Sequence, residues 1–259
     1  MVPAPNPPVC DDTKATIFGN TPNPHPVVIC FHGSGDSCAS WLPLAHSLSD
    51  SYRVLLWDRG EPSQKPSVAV DEMVKYLEQV RLQIPPPYVL VAHSYGGTFA
   101  RTFLEKRPRD VAGMVLAETG QETALDAKME RQQYRRQVLG DNPLSVIRAN
   151  TLIRKWAQYE HAVNAADNDT EKTALEVQKQ ILDVTDKEDE RLKKAQLALS
   201  RHHRYLHVPD CGHNVIQDRP EVVADEIRWV MKNLVSTEKK PANVLRRLLS
   251  LIGSRRQPQ

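Results

Sequence analysis

A serine, a histidine and a glycine-rich turn stand where nucleophilic chemistry could use them. The run Val89-Leu90-Val91-Ala92 leads straight into His93-Ser94-Tyr95-Gly96-Gly97. A buried strand that turns sharply into a helix holds the intervening serine in strained backbone, with its oxygen above the sheet. Neighbouring chain must then pass close by, so the positions two before and two after need small side chains. Here they are Ala92 and Gly96. Alanine in place of the first glycine of G-x-S-x-G is a departure that sterics tolerate. The plainer alternative is a serine that only caps a helix.

The turn Phe31-His32-Gly33-Ser34-Gly35 follows an apolar run at 27–31. A tight turn there frees backbone N–H groups. Those of Ser34 and Tyr95 are expected to converge on a substrate oxyanion, each such donor being worth roughly 10²–10³ in rate. His32 is expected to brace the turn rather than react. His213 lies in Pro209-Asp210-Cys211-Gly212-His213-Asn214, after the last apolar run. From a loop at the carboxyl edge of a parallel sheet it could take the Ser94 proton and return it to a leaving group.

The elements that must position these residues follow a rhythm. Short apolar runs at 27–31, 53–57, 88–92, 113–117, 144–147 and 205–208 read as strands buried on both faces. Helical patterns at 39–48, 68–83, 95–106 and 220–234 lie between or after them. The alternation predicts an α/β fold with a mostly parallel central sheet flanked by helices. The stretch 121–200, rich in charged residues with interspersed leucines and aromatics, is expected to be a helical lid with a break at 164–170. Within it, Leu192, Ala195 and Leu199 have the spacing of a helix docked on the body. Trp156, Tyr159 and Tyr134 are candidates for lining a substrate pocket, with plain packing as the alternative for each.

Composition bounds the rest. The 259 residues are 40% apolar and 25% charged, which suits a globular chain able to bury a large core. Residues 1–26 hold seven prolines and read as an extended segment with a short strand near 16–18. They lack the pattern of a signal peptide. No run approaches a membrane span. The four cysteines form no C-x-x-C pair or disulfide framework, so free thiols in a reducing, cytoplasmic setting are expected. Histidines and cysteines show no zinc spacing, and no metal is expected. The net charge is +2, but 236–259 sets six cationic residues against Glu238, a net of +5 that leaves −3 on the rest. A nucleic-acid-binding body is therefore disfavoured. Residues 242–252 (ANVLRRLLSLI), between Lys239/Lys240 and Arg255/Arg256, form a basic amphipathic tail. It could pack on the domain, or touch a membrane surface or a protein partner through 242–256.

Taken in order, HGSG, Trp57-Asp58-Arg59-Gly60, AHSYGG, GMVLAE and GHNVIQDRPE resemble the α/β-hydrolase fold superfamily, in its single-domain esterase-like branch. The resemblance spans about 16–235 and divides the chain into a Pro-rich segment 1–26, a hydrolase domain 27–235 and the tail 236–259. It implies eight mostly parallel strands, a Ser–His–acid triad and no cofactor. The short N-terminus leaves little room for the family's first hairpin, so a reduced sheet is expected there. The acid commonly follows the seventh strand, yet Asn150-Thr151-Leu152 offers no carboxylate. A minority of the superfamily carries it after the sixth strand, where Glu118 directly follows Ala117. Asp141, Glu122 and the acids at 167 and 169 stay open as alternatives, and Asp58 reads as a turn brace.

The expected activity is hydrolysis of a small carboxylic ester, lactone or thioester through an acyl-enzyme on Ser94. Carbon–carbon bond hydrolysis could use the same residues. A ligand-binding receptor or scaffold on this fold would keep the pocket without turnover. A serine at the turn argues against the dehalogenase and epoxide chemistry that the family runs with aspartate.

Overall fold

Continuous apolar runs can be explained only if both faces of each strand are covered. In the computed structural model, which describes residues 9–10, 15–19, 25–59, 64–120 and 125–235, they are for the runs at 27–31, 54–57, 88–93, 113–117 and 144–149, whereas the run at 205–208, expected to be buried on both faces, lies in an edge strand and is covered only in part. Strand β3 (Val27–Phe31) is buried at all five positions. Val27, Ile29 and Phe31 enter one core cluster with Met73, Phe99 and Phe103. Val28 and Cys30 enter the other with Trp41, Leu44 and Val230. The period of two thus sends alternate residues to two helix layers.

The sheet has eight strands. In chain order they are β1 (Val9–Cys10), β2 (Ala15–Phe18), β3, β4 (Val54–Trp57), β5 (Tyr88–His93), β6 (Val111–Ala117), β7 (Leu144–Ala149) and β8 (His203–Val208). Their spatial order is β1-β2-β4-β3-β5-β6-β7-β8. The pairs from β4 through β8 are parallel, and β1 and β2 are antiparallel at one edge. The N-terminal hairpin is therefore present in shortened form. Two residues of β1 pair with β2, at Val9↔Ile17 and Cys10↔Thr16.

Helices α2 (Pro66–Gln79) and α3 (Gly96–Lys106) pack against each other on one face. Helices α1 (Leu42–Leu48) and α8 (Pro220–Lys232) pack together on the other. The excursion after β6 supplies α4 (Ala127–Arg136), and after β7 come α5 (Ile153–Ala165) and α6 (Asp169–Ala195). The break expected at 164–170 falls at 166–168, where the Asn168 side chain caps α6 by accepting from the Glu171 amide at 2.9 Å. A four-residue helix α7 (Val215–Asp218) precedes α8. The basic tail, from 236 onward, lies outside the described residues.

Boundary differences have local causes. Pro66 at the first turn starts α2 two residues before the pattern suggested. Residues 38–41 form a tighter 3-10 turn ahead of α1. Strand β7 runs on through Arg148, whose charge hid it, because the side chain is buried against acids of α6.

Gly96 is where helix α3 crosses the end of β3. A Cβ there would lie 2.1 Å from the Phe31 carbonyl oxygen, which is backbone and cannot yield. Gly96→Ala is expected to destabilise the protein by about 3 kcal/mol or to block folding. Urea unfolding followed by circular dichroism checks this; an unchanged midpoint would contradict it.

Candidate active site

Two adjacent strands end in the same way. Ser94 extends β5 by one ladder bond, its amide donating to the Ala117 carbonyl at 3.1 Å. Glu118 extends β6 likewise, donating to the Ile147 carbonyl at 3.0 Å. Both residues then turn through the left-handed region, with φ of 51° and 54°. Neither is glycine, so each turn costs on the order of 1–3 kcal/mol. The result is a hydroxyl and a carboxylate on neighbouring strands at the carboxyl edge of the sheet.

The histidine arrives from β8, two strands beyond β6. Its loop is folded back over the end of β7. The Asn150 amide donates to the Cys211 carbonyl at 2.7 Å, and Asn150 Nδ2 donates to the Pro209 carbonyl at 3.2 Å. From β5, His93 Nε2 donates to the His213 carbonyl at 2.8 Å, and the two rings lie 5.0 Å apart. Burial lowers the His93 pKa, which keeps that ring neutral.

These ties leave the His213 ring between the two strand ends. Its Nδ1 donates to Glu118 Oε2 at 3.1 Å. Its Nε2 accepts from the Ser94 hydroxyl at 2.9 Å. The carboxylate fixes the tautomer, because Nδ1 must carry the proton and Nε2 must be bare. His213 keeps 41% of its side-chain surface exposed, whereas the Glu118 side chain is at 0%.

Four groups hold the Glu118 carboxylate. Besides His213, Thr151 Oγ1 donates to Oε2 at 2.6 Å and the Ala149 amide to Oε1 at 2.7 Å. The Lys193 ammonium lies 3.5 Å from Oε1. Burial pushes the carboxyl pKa up, but the His213 bond, the Lys193 charge and the bonds from Thr151 and Ala149 outweigh it. The net result is a fall from 4.5 to about 2.

The glycine turn rests on Ser94. A Cβ on Gly33 would lie 3.3 Å from Ser94 Cβ. His32 braces this turn as expected: it is buried, its Nδ1 donates to the Gly33 carbonyl at 3.0 Å, and its Nε2 accepts from the Arg59 amide at 3.3 Å. Asp58 accepts from the Cys38 amide at 2.7 Å. Arg59 donates to the His32 carbonyl, and its Nη2 donates to the Gly33 carbonyl at 2.5 Å. In a trans peptide the C=O and the following N–H point in opposite directions, so Arg59 and His32 together aim the Ser34 N–H away from themselves. Tyr95 follows the serine at the N-terminal cap of α3, where the helix dipole is positive.

The aromatic candidates separate. Trp156 and Tyr159 are half-buried neighbours on α5, with ring centroids 5.8 Å apart. Tyr134 belongs to a different cluster. Its hydroxyl meets Arg101 Nη1 and Glu130 Oε1, each at 2.9 Å, and its ring packs under the Arg101 guanidinium at 4.6 Å. Asp141 pairs instead with Arg201 on the surface. Sequence reading missed Thr151, Arg59 and Lys193. For Lys193 the sequence offers only its i,i+4 spacing from Asp189, with which it pairs in the structure.

Comparison with known proteins agrees with this architecture. A family model described as "Alpha/beta hydrolase family" matches residues 28–226. The chain is 24% identical over 280 residues to a "Probable transporter efuK" of Hormonema carpetanum, covering 80% of this chain but only 39% of that protein. It is 26% identical to the uncharacterized protein YqjL of Bacillus subtilis (strain 168), covering 76% of this chain and 80% of that one. Among solved structures it superposes on the esterase RhEst1 from Rhodococcus sp. ECU1013 with a TM-score of 0.55 and 14% identity, covering 85% and 94% of the two chains. An enol-lactonase from Burkholderia xenovorans LB400 matches with a TM-score of 0.51 and 12% identity over 84% and 95%. At these identities the structural matches speak to the fold.

The Glu118 carboxyl also couples stability to pH. Its folded value lies below its ordinary one, so its contribution is complete above pH 4.5 and is lost as pH falls toward about 2. Between pH 7 and pH 3 it should remove about 2 kcal/mol of stability. Urea unfolding at both pH values should therefore show a drop smaller by about that amount in Glu118→Gln. Equal drops in the two proteins would mean the carboxyl is not held ionised.

Proposed function

Because the chain belongs to the alpha/beta hydrolase family, we propose that it is a serine hydrolase acting on a small carboxylic ester, lactone or thioester. The observation that carries this reading is the unbroken hydrogen-bond chain from Ser94 through His213 to Glu118.

The chemistry follows from the tautomer. Bare Nε2 of His213 takes the Ser94 proton as Oγ attacks the substrate carbonyl carbon. The imidazolium that forms is stabilised by Glu118, which stays ionised because its four partners favour the charged form. Negative charge collects on the former carbonyl oxygen. The amides of Ser34 and Tyr95 receive it, the first aimed by the Arg59 and His32 brace on Gly33 and the second set at a helix N-terminus. His213 then protonates the leaving alcohol or thiol, and the acyl group remains on Ser94. A water molecule enters by the same steps in reverse and frees the acid. Trp156 and Tyr159 on α5 are the aromatic surface proposed to face the acyl portion, while Tyr134 is held in its Arg101 cluster.

The test does not require the natural substrate. A fluorophosphonate reacts with an activated serine and leaves a stable adduct. Wild-type protein should be labelled on the peptide containing Ser94, and p-nitrophenyl acetate should be hydrolysed. Ser94→Ala should lose the label and up to about 10⁶-fold in turnover. Glu118→Gln should fold but turn over far more slowly, by up to about 10⁴-fold. Turnover that survives Ser94→Ala would refute the nucleophile assignment. Labelling without hydrolysis of any ester, lactone or thioester would favour carbon–carbon substrates on the same residues.

A further inference from the structure

Lys193 comes from the far end of α6, 75 residues beyond Glu118 in the chain. It is 1% exposed, so its charge is shielded from bulk solvent. Its Nζ contacts Asp189 on the preceding turn and stands 3.5 Å from Glu118 Oε1. Asp189 is in turn held by Arg148 Nε at 2.8 Å, and Arg148 Nη2 reaches Asp186 Oδ1 at 2.5 Å. Three acids and two bases therefore alternate from the triad carboxylate outward. The same helix end clamps the residues after Glu118. Thr119 Oγ1 donates to Gln196 Oε1 at 2.7 Å, and Gln196 Nε2 donates back to the Thr119 carbonyl at 3.0 Å.

If docking α6 were all that mattered, an apolar side chain at 193 would serve as well, since a buried ion pair seldom gains over well-packed hydrocarbon. What only a cation supplies is positive charge against the carboxylate. We propose that Lys193 is a positioning residue for the reaction, through which the C-terminal end of α6 sets the orientation and effective charge of Glu118, and hence the pH range in which the Glu118–His213 pair can activate Ser94. This rests on the hydrolase reading above. With Lys193 in place the carboxylate stays ionised, and its pull on the imidazole proton is partly offset. Without it, the pair retains a proton to higher pH. Among the described residues, the other groups facing the pair are His93 from β5, Cys211 on the histidine loop, and Arg148 of β7 with its Asp186 and Asp189 partners. Tyr205 of β8 stands near Arg148. None of these supplies a second cation in contact with Glu118.

The readout is the rate of fluorophosphonate labelling of Ser94 as a function of pH, on full-length protein. Its acid limb reports protonation of the pair. Lys193→Met should move that limb up by about one pH unit and lower the plateau about tenfold. Lys193→Arg keeps the charge and should leave the limb in place. Asp189→Asn removes the competing anion and should move the limb down. A role confined to helix docking would lower the plateau without separating these signs. An acid limb unmoved in Lys193→Met, or moved the same way in Lys193→Met and Asp189→Asn, overturns the proposal. Where Lys193→Met does not fold, Asp189→Asn decides, and an unmoved limb there overturns it too. Absence of Ser94 labelling in the wild type at every pH would instead remove the hydrolase reading, and this proposal with it.

Discussion

A carboxylate sealed from solvent has to be held in its charged form by its neighbours, and much of this site follows from that demand. Glu118 meets it with a backbone amide, a threonine hydroxyl, an imidazole and an ammonium. Each comes from a different stretch: the end of β7, the turn after it, the loop after β8 and the end of α6. A single buried charge thereby gathers four elements at one corner of the sheet. The imidazole is the partner that passes this order on, because a proton fixed on Nδ1 leaves Nε2 free for the serine.

The sheet makes the meeting possible through repetition. Neighbouring strands in a parallel sheet lie about 4.8 Å apart, and both β5 and β6 end in one residue with positive φ. The strain raises Ser94 and Glu118 side by side out of the same edge. Compact glycines let other chain come near. Gly96 admits the end of β3, and Gly33 admits the turn whose Ser34 amide is aimed through Arg59 and His32. Strain and close approach are local costs; the two-sided core beneath, from Val28 to Val230 on one face and Phe31 to Phe103 on the other, offsets them.

What could be read in the sequence was what local chemistry determines. Ser94 and Gly96 announce a sharp turn by residue type, and Gly212-His213 marks a loop after a strand. Glu118 emerged through the family resemblance, which allows the acid after the sixth strand where the turn after β7 has none to offer. Charged residues that fold inward were hidden, because hydrophobic patterning assigns them to the surface. Arg148 shortened the expected β7, and Lys193 passed as one more lysine in a charge-rich helix, although both are buried against Asp189. Their placement depends on how α6 returns to the sheet, which is a property of tertiary packing. The same limit applies to Tyr134, an aromatic that hydrophobicity alone could not assign to its Arg101 and Glu130 partners.

We propose that a serine, an imidazole and a buried carboxylate act together on a carbonyl at the end of β5. The most direct test of this is a crystal structure of the protein after reaction with a fluorophosphonate. Phosphorus bonded to Ser94 Oγ, the phosphoryl oxygen within hydrogen-bonding distance of the Ser34 and Tyr95 amides, and His213 still joined to Glu118 are the expected outcome. Density for an adduct on another residue, or an unmodified Ser94 beside excess reagent, would contradict it.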